Sequence, residues 1–470
     1  MTTQTVKASP AKVFFVDMLT RDIELTDAIL DLIDNCLDGA MRKCSENPNV
    51  NLKKKYDGFY AKITMDQHTF IIEDNCGGIP EDIAKTQAFR LGNSNFGKDR
   101  ALPTIGVYGI GMKRAMFKMG RHSEVQTKTD ESEYKVVITP EWLKDDHDWN
   151  LPLIDGNHGL GHHGTKIVIT ELRDAVARLL DDTEVFQSNL INIISHHFAI
   201  VISKGFEVSL NGNIIKPSLT ALLFDEKSFS SGNGITPYVY KNDINGVKIE
   251  LAVGFYRDLT TEEEDDSFLE SRNSSEKAGW TIICNDRVVV YADKTRLTGW
   301  GEAAVPGYHT QFIGIAGVVK FTSNDASLLP VTTTKRGIDG NSELYLAVKD
   351  YMRDGLKTFT SFTNKWKSFG NNNTVKSLSN KSISASSSEI NELIPKSKWK
   401  SNPKAFGGQV YKPTLPVPKV DSELKTIKYT VELTDFNLVA DHFFDNRKVS
   451  GNELGKKLFD KALKEAMDNE

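Results

Sequence analysis

Between Asp27 and Ala40 the chain reads DAILDLIDNCLDGA, and its acids are spaced for chemistry. Asp27, Asp31, Asp34 and Asp38 stand at i, i+4, i+7 and i+11, so one face of a helix carries four carboxylates with Asn35 beside them. Leu25, Ile29, Leu32, Cys36 and Ala40 form the opposite, apolar stripe. A solvated helix face usually mixes lysines with its acids to gain i,i+4 pairs, and this face has no basic residue. It reads either as a plain solvated surface or as an unpaired acidic face suited to a bound cation.

Three further stretches carry candidate chemistry. IIEDNCGGIP ends an apolar strand in Asp74, followed by Asn75, Cys76, Gly77 and Gly78. A buried carboxylate there can accept from an exocyclic amine, and the glycines let a flat ring approach the backbone. The plainer reading is a strand-ending turn. GVYGIGMKRAMFKMG places Gly106, Gly109 and Gly111 ahead of a helix, with Lys113 just inside it. Backbone amides at such a helix start cradle phosphate. The order GxxGxG differs from both the Rossmann and the P-loop spacing. HGTKIVIT puts Gly164 and Thr165 at the start of a buried strand, where a hydroxyl could complete a base pocket.

In this order, the acid/Asn helix, DNxGG turn, GxxGxG loop and GT strand resemble the nucleotide site of the GHKL superfamily, which includes gyrase B, the heat-shock chaperones, histidine kinases, MutL and MORC proteins. The resemblance covers residues 15–175. It implies a two-layer α/β sandwich with helices on one face of a mixed sheet and ATP between them. By the same resemblance, Asn35 binds Mg2+ and Asp31 activates the attacking water. Asp74 reads the adenine amine, Gly78 lies beneath the ring and Thr165 supports Asp74 through a water. Gly106, Gly109, Gly111 and Lys113 belong to a lid over the phosphates. The chain departs from the family pattern twice. Asp31 stands where glutamate is usual, one methylene longer, which implies slow hydrolysis. Cys76 replaces the first glycine of the turn.

The elements that must position these residues follow from pattern. AKITMDQHTFIIEDN reads as a strand pair and HGTKIVITEL as a buried strand. Residues 176–368 continue with a helix through VFQSNLINIISHHFAI and strands in FEVSLNGNIIKP, VKIELAVGFY and GWTIICNDRVVVYAD. A long helix follows from SELYLAV, and EEEDD at 262–266 reads as a solvated loop. NDRVVVYAD and TTTKRGID resemble the second, transducer domain of MORC and MutL proteins, an α+β domain related to a ribosomal-protein fold. The resemblance implies that Lys335 is sent into the ATP site. The expected domains are therefore 1–175, 176–368, a flexible Ser/Asn/Lys-rich linker at 369–424 and a small unit at 425–470 with strand and helix patterning. Within 396–412, lysines alternate with Trp399, Phe406 and Tyr411, which suits either a linker docked on its own domains or contact with nucleic acid.

Composition bounds the class. The 470 residues, 39% hydrophobic and 26% charged, are enough for several real cores. No apolar run reaches the roughly 20 residues of a membrane span. Four scattered cysteines with no CxxC pair argue against zinc and for free thiols in a reducing, cytoplasmic setting. A net charge of −5 opposes a protein that coats nucleic acid, though not a local basic patch. The resulting expectation is a Mg2+-dependent ATPase in which ATP drives closure and homodimerisation, helped by the segment before Leu25. The layout is closest to MORC-like clamps on DNA, with a role in defence against foreign DNA. The alternatives are a chaperone-like or scaffolding ATPase acting on a protein partner, and a phosphotransferase of histidine-kinase type.

Overall fold

A computed structural model describes residues 11–46, 49, 51–90, 109–231, 234–257, 276–332, 335–368, 383–402, 406–417 and 427–468. The chain divides into two compact units, Met1–Val417 and Pro418–Glu470.

The larger unit is built on two sheets. The first contains β1 (Tyr60–Met65), β2 (Phe70–Asp74), β3 (Gly120–Lys128), β4 (Glu133–Ile138), β5 (Leu153–Asp155), β6 (Gly164–Leu172), β7 (Glu207–Leu210) and β8 (Asn213–Ile214). Their order across the sheet is β5-β4-β3-β6-β2-β1-β7-β8. Burial alternates along β1, β2 and β4, so one face of the sheet is closed and the other is partly open to water. Helix α1 (Lys12–Arg21) and helix α2 (Leu25–Ser45) lie with helices 111–119 and 188–197 in the core against the closed face.

α2 buries Leu25, Ile29, Leu32, Ile33, Leu37 and Met41. Each such side chain contributes about 1.5–3 kcal/mol on burial. Packing therefore holds the helix, and the cost of placing carboxylates beside a core can be borne.

The second sheet contains β10 (Tyr238–Ile244), β11 (Val247–Phe255), β12 (Gly279–Cys284), β13 (Arg287–Asp293), β14 (Ile315–Thr322), β16 (Lys400–Ser401) and β17 (Gln409–Tyr411), in the order β13-β12-β14-β11-β10-β17-β16. The 26-residue helix Glu343–Ser368 supplies Tyr345, Val348, Met352, Phe359 and Phe362 to its core. Two short strands, β9 (Leu222–Phe224) and β15 (Ile383–Ala385), pair beside it.

Two expectations about boundaries change. FEVSLNGNIIKP forms β7 and β8, joined by Asn211 and Gly212 at positive φ, but β7 pairs in parallel with β1. The first layer thus extends to about residue 214, because the parallel return needs the helical crossover at 188–203. Within the stretch expected as linker, the described residues 383–402 and 406–417 are also built in. β15 pairs with β9 and β17 with β10, while Ser386 and Glu389 form a capping box on the helix Ser387–Leu393. This segment is too polar to fold alone, but main-chain pairing and the burial of Ala385, Ile390, Ile394 and Tyr411 attach it to an existing sheet. Trp399 packs there with Lys241 3.9 Å over its ring, and Phe406 is exposed.

The smaller unit consists of helices Leu433–Phe444 and Gly451–Asp468. Asp445 in the left-handed region ends the first, and Ser450 with Glu453 caps the second. The expected strand is absent among its described residues. The EEEDD run at 262–266, expected as a solvated loop, and residues 91–108 with Gly106, expected in a lid, lie outside the described residues.

Candidate active site

α2 meets the Asp74 turn at close range. A Cβ on Gly39 would fall 2.9 Å from Cys76 Cβ. The missing side chain on α2 therefore makes room for Cys76. Asp74 is buried at the end of β2, and its Oδ1 accepts from the backbone N–H of Cys76 at 2.8 Å. Burial raises its pKa; the Cys76 N–H, the Cys36 thiol and the Thr165 N–H pull in the opposite direction. Thr165 lies directly across from Asp74 in the β2–β6 register. Gly78 has φ +73, and a Cβ there would strike the Lys128 carbonyl at 2.3 Å, so only glycine fits.

Thr127 escaped the sequence reading. It is fully buried on β3, and its Oγ1 accepts from Ile79 N–H at 2.8 Å and contacts the Gly164 carbonyl at 3.2 Å and Thr165 Oγ1 at 3.5 Å. One hydroxyl thus joins the DNxGG turn to the GT strand. In the sequence it is an ordinary strand threonine, and only the β3–β6 register reveals it.

The acidic face of α2 is neither solvated nor unpaired. Asp31, Asp34 and Asp38 are buried and Asn35 is half-buried. The partners come from distant segments. Arg114 Nη2 donates to Asp31 Oδ2 at 2.7 Å. Arg287 Nε donates to Asp34 Oδ1 at 2.7 Å, with neither side chain more than 1% exposed. Lys335 Nζ lies 3.8 Å from Asp34 Oδ2, and Arg336 pairs with Asp27. The bare acidic face read from the sequence was an effect of looking at one helix, since its counter-ions sit 83 to 309 residues further along the chain.

The ionisation of these groups follows from this packing. Burial raises the pKa of Asp31; Lys335 and Arg114 oppose the rise, and the neighbouring Asp34 adds to it. Burial disfavours the Lys335 ammonium, but Asp34, Asp38 and Asp31 outweigh it and hold its pKa above the ordinary lysine value. Lys335 also has φ +55, a conformation uncommon for a side chain of its size.

Gly109 and Gly111 lead into helix 111–119, and Gly111 faces Asp31. Lys113 is turned away into protein. Its Nζ donates to the Ala88 carbonyl at 2.7 Å, and burial lowers its pKa to about 8. A separate cavity of about 600 Å3, lined by Phe15, Phe89, Trp142, Trp149 and Leu151 among others, includes none of Asp31, Asn35, Asp74 or Thr165.

Residues 23–160 match the family of histidine kinase-, DNA gyrase B- and HSP90-like ATPases. This segment is a GHKL ATPase domain. No curated protein matches the chain. The match spans α2, the Asp74 turn and helix 111–119, so Asp31, Asn35, Asp74 and Arg114 lie within it. Thr165 lies just beyond the match, and Lys335 is contributed by the second sheet's layer.

The residues suit Mg2+ held chiefly through nucleotide. Among the described residues no group of three or more His, Cys, Asp or Glu side chains could hold a metal ion. The α2 carboxylates already face Arg114, Arg287 and Lys335. Mg2+ commonly takes one or two protein oxygens and completes its shell from phosphates and water, which a half-buried Asn35 can serve.

Proposed function

We propose that the protein is a Mg2+-dependent ATPase whose nucleotide state sets the position of its second layer and its self-association. The observation that carries this reading is Lys335. A lysine from outside the GHKL domain reaches to 3.8 Å from Asp34, on the helix that carries Asp31 and Asn35. A cation delivered from another layer can favour one arrangement of the two layers when a terminal phosphate is present and release it when that phosphate leaves.

In this reading Asp74, with Thr165 and Thr127 behind it, accepts from the adenine amine, and Gly78 leaves room for the ring. Asn35 holds Mg2+, which would offset phosphate charge. Asp31 takes the proton of the attacking water, Gly109 and Gly111 present backbone N–H groups to phosphate, and Lys335 contacts the terminal phosphate. Asp31 is short for this task, so turnover is slow.

Self-association is supported by α1, where Val13, Phe14 and Met18 are 50–66% exposed. A MORC-like clamp on DNA, acting in defence against foreign DNA, is the role that fits a GHKL domain joined to a lysine-bearing second layer. The packing of Trp399 and Tyr411 onto their own sheet removes them as base-stacking groups, and leaves Phe406 and the exposed Lys396, Lys398 and Lys400 of that stretch for a DNA contact. The test is ATP hydrolysis with and without duplex DNA, alongside mass measurement with a non-hydrolysable ATP analogue. DNA-stimulated turnover and an analogue-induced dimer are expected. Stimulation by a protein partner and not by DNA would replace the clamp with a scaffolding ATPase. Lys335→Ala should weaken hydrolysis and dimerisation together while ADP affinity is kept.

A further inference from the structure

Asp31 carries one hydrogen bond from a described side chain, that of Arg114 to Oδ2; its Oδ1 takes none. The bond joins a carboxylate about 5% exposed to a guanidinium about 19% exposed, so water competes weakly for either. The same Oδ2 is hemmed by the start of Arg114's own helix, where a Cβ on Gly111 would fall 3.2 Å away. Arg114 Nε is buried with no hydrogen-bond partner. Leaving a buried donor unpaired costs about 1–3 kcal/mol. The side chain thus sits where it serves the carboxylate at the expense of its own bonding. The other charged groups around Asp31 do not bond to it: Lys335 and Arg287 lie against Asp34, and Arg336 against Asp27.

We propose that Arg114 is a positioning residue for the base, locking Oδ2 of Asp31 so that Oδ1 is presented in a single orientation to the attacking water. The inference rests on Asp31 being the base. Its physical content is geometric. A short carboxylate rotates freely unless held, and misplacing a reacting group by about 1 Å can cost about a hundredfold in rate. Glutamate gains reach from its extra methylene; here a guanidinium from the phosphate-side helix fixes the direction of a shorter arm.

The test is single-turnover ATP hydrolysis, with affinity for a fluorescent non-hydrolysable ATP analogue, in the full chain carrying Arg114→Met, Arg114→Lys, Asp31→Ala, and Asp31→Ala with Arg114→Met. Arg114→Met should lower the chemical step about tenfold to a hundredfold while analogue affinity changes less than about twofold. Arg114→Lys should recover part of the rate. In the Asp31→Ala protein the arginine replacement should cost nothing more. Parent-rate turnover in Arg114→Met overturns the proposal. So do a parallel loss of analogue affinity, which would make Arg114 a phosphate ligand, and losses that multiply across the double variant. Parent-rate turnover in Asp31→Ala alone overturns the base assignment itself and the proposal with it. Should Arg114→Met unfold at assay temperature, Arg114→Lys carries the same comparison, and parent-rate turnover there with unchanged affinity is the overturning result.

Discussion

A carboxylate is a useful base only where it is neither freely hydrated nor fully neutralised, and Asp31 meets that condition through one guanidinium and a buried setting. Asp31→Ala should lower hydrolysis by on the order of 10²–10⁴ while nucleotide still binds, measured as turnover against analogue affinity. Turnover at the parent rate would shift the role to Asp34 or Glu24. Asp31→Glu should change the rate upward if reach limits it. Asp74→Asn should abolish ATP binding in a protein that still folds, since an amide can turn a donor toward the adenine amine; calorimetric titration showing unchanged affinity would defeat that assignment. At this scale the sequence was informative where a residue type is itself the signal. Motif order singled out Asp74, Gly78, Asn35 and Asp31 as candidates. It could not single out Thr127, Arg114 and Arg287, because a threonine in a strand or an arginine in a helix has no local mark of a long-range role.

For the elements, the periodicity of α2 identified both its faces, and the apolar stripe is in the core as read. What periodicity cannot give is the partner of the polar face. Arg287 reaches Asp34 from β13, donates to the carbonyls of His197 and Val288 at 3.1 and 2.7 Å, and lies 4.1 Å over the Phe198 ring. Replacing it by methionine leaves Asp34 buried without its main counter-ion, and should cost about 3–5 kcal/mol in a denaturation experiment. Pairing Arg287→Met with Asp34→Leu should restore most of that loss, because two apolar side chains need no hydration. Failure of the double variant to recover would mean that the pair does more than neutralise itself. The segment at 383–411 shows the complementary limit. Its composition offers little apolar surface to bury, but whether a neighbouring sheet edge will take it up is not written in its own residues.

Across the whole of the larger unit, the two layers are joined by buried charge as well as by apolar packing. Asp286 accepts from Tyr56 at 3.1 Å and Lys204 at 2.6 Å, and pairs with Lys320 at 3.1 Å. Burial alone would raise its pKa, but Lys320 and Lys204 hold it far below the ordinary carboxylate range. His197 stands at the same junction. Burial, with Arg287 adding to it, lowers its pKa to about 4, and its Nδ1–H donates to the Val288 carbonyl. Above the ordinary histidine value of about 6.5 the ring is neutral folded or unfolded. As pH falls below that, the unfolded chain takes up a proton that the folded ring refuses until about 4, so stability is lost progressively across that window. Between pH 6.5 and 5 the loss should be on the order of 2 kcal/mol, and His197→Gln should flatten it in denaturant titrations at the two pH values. Asp286 and Arg287 are consecutive residues of opposite sign, the one in the tight turn between β12 and β13 and the other at the start of β13, with Asn285 and Asp286 both at positive φ. Across the junction they face opposite signs in turn: ammonium and phenol for one, carboxylate for the other. A joint keyed this way has no half-turned position, because sliding by one residue sets like charge against like. Any movement between the layers must therefore leave the key seated, or withdraw both teeth at once. Gradual creep between the layers is closed to it.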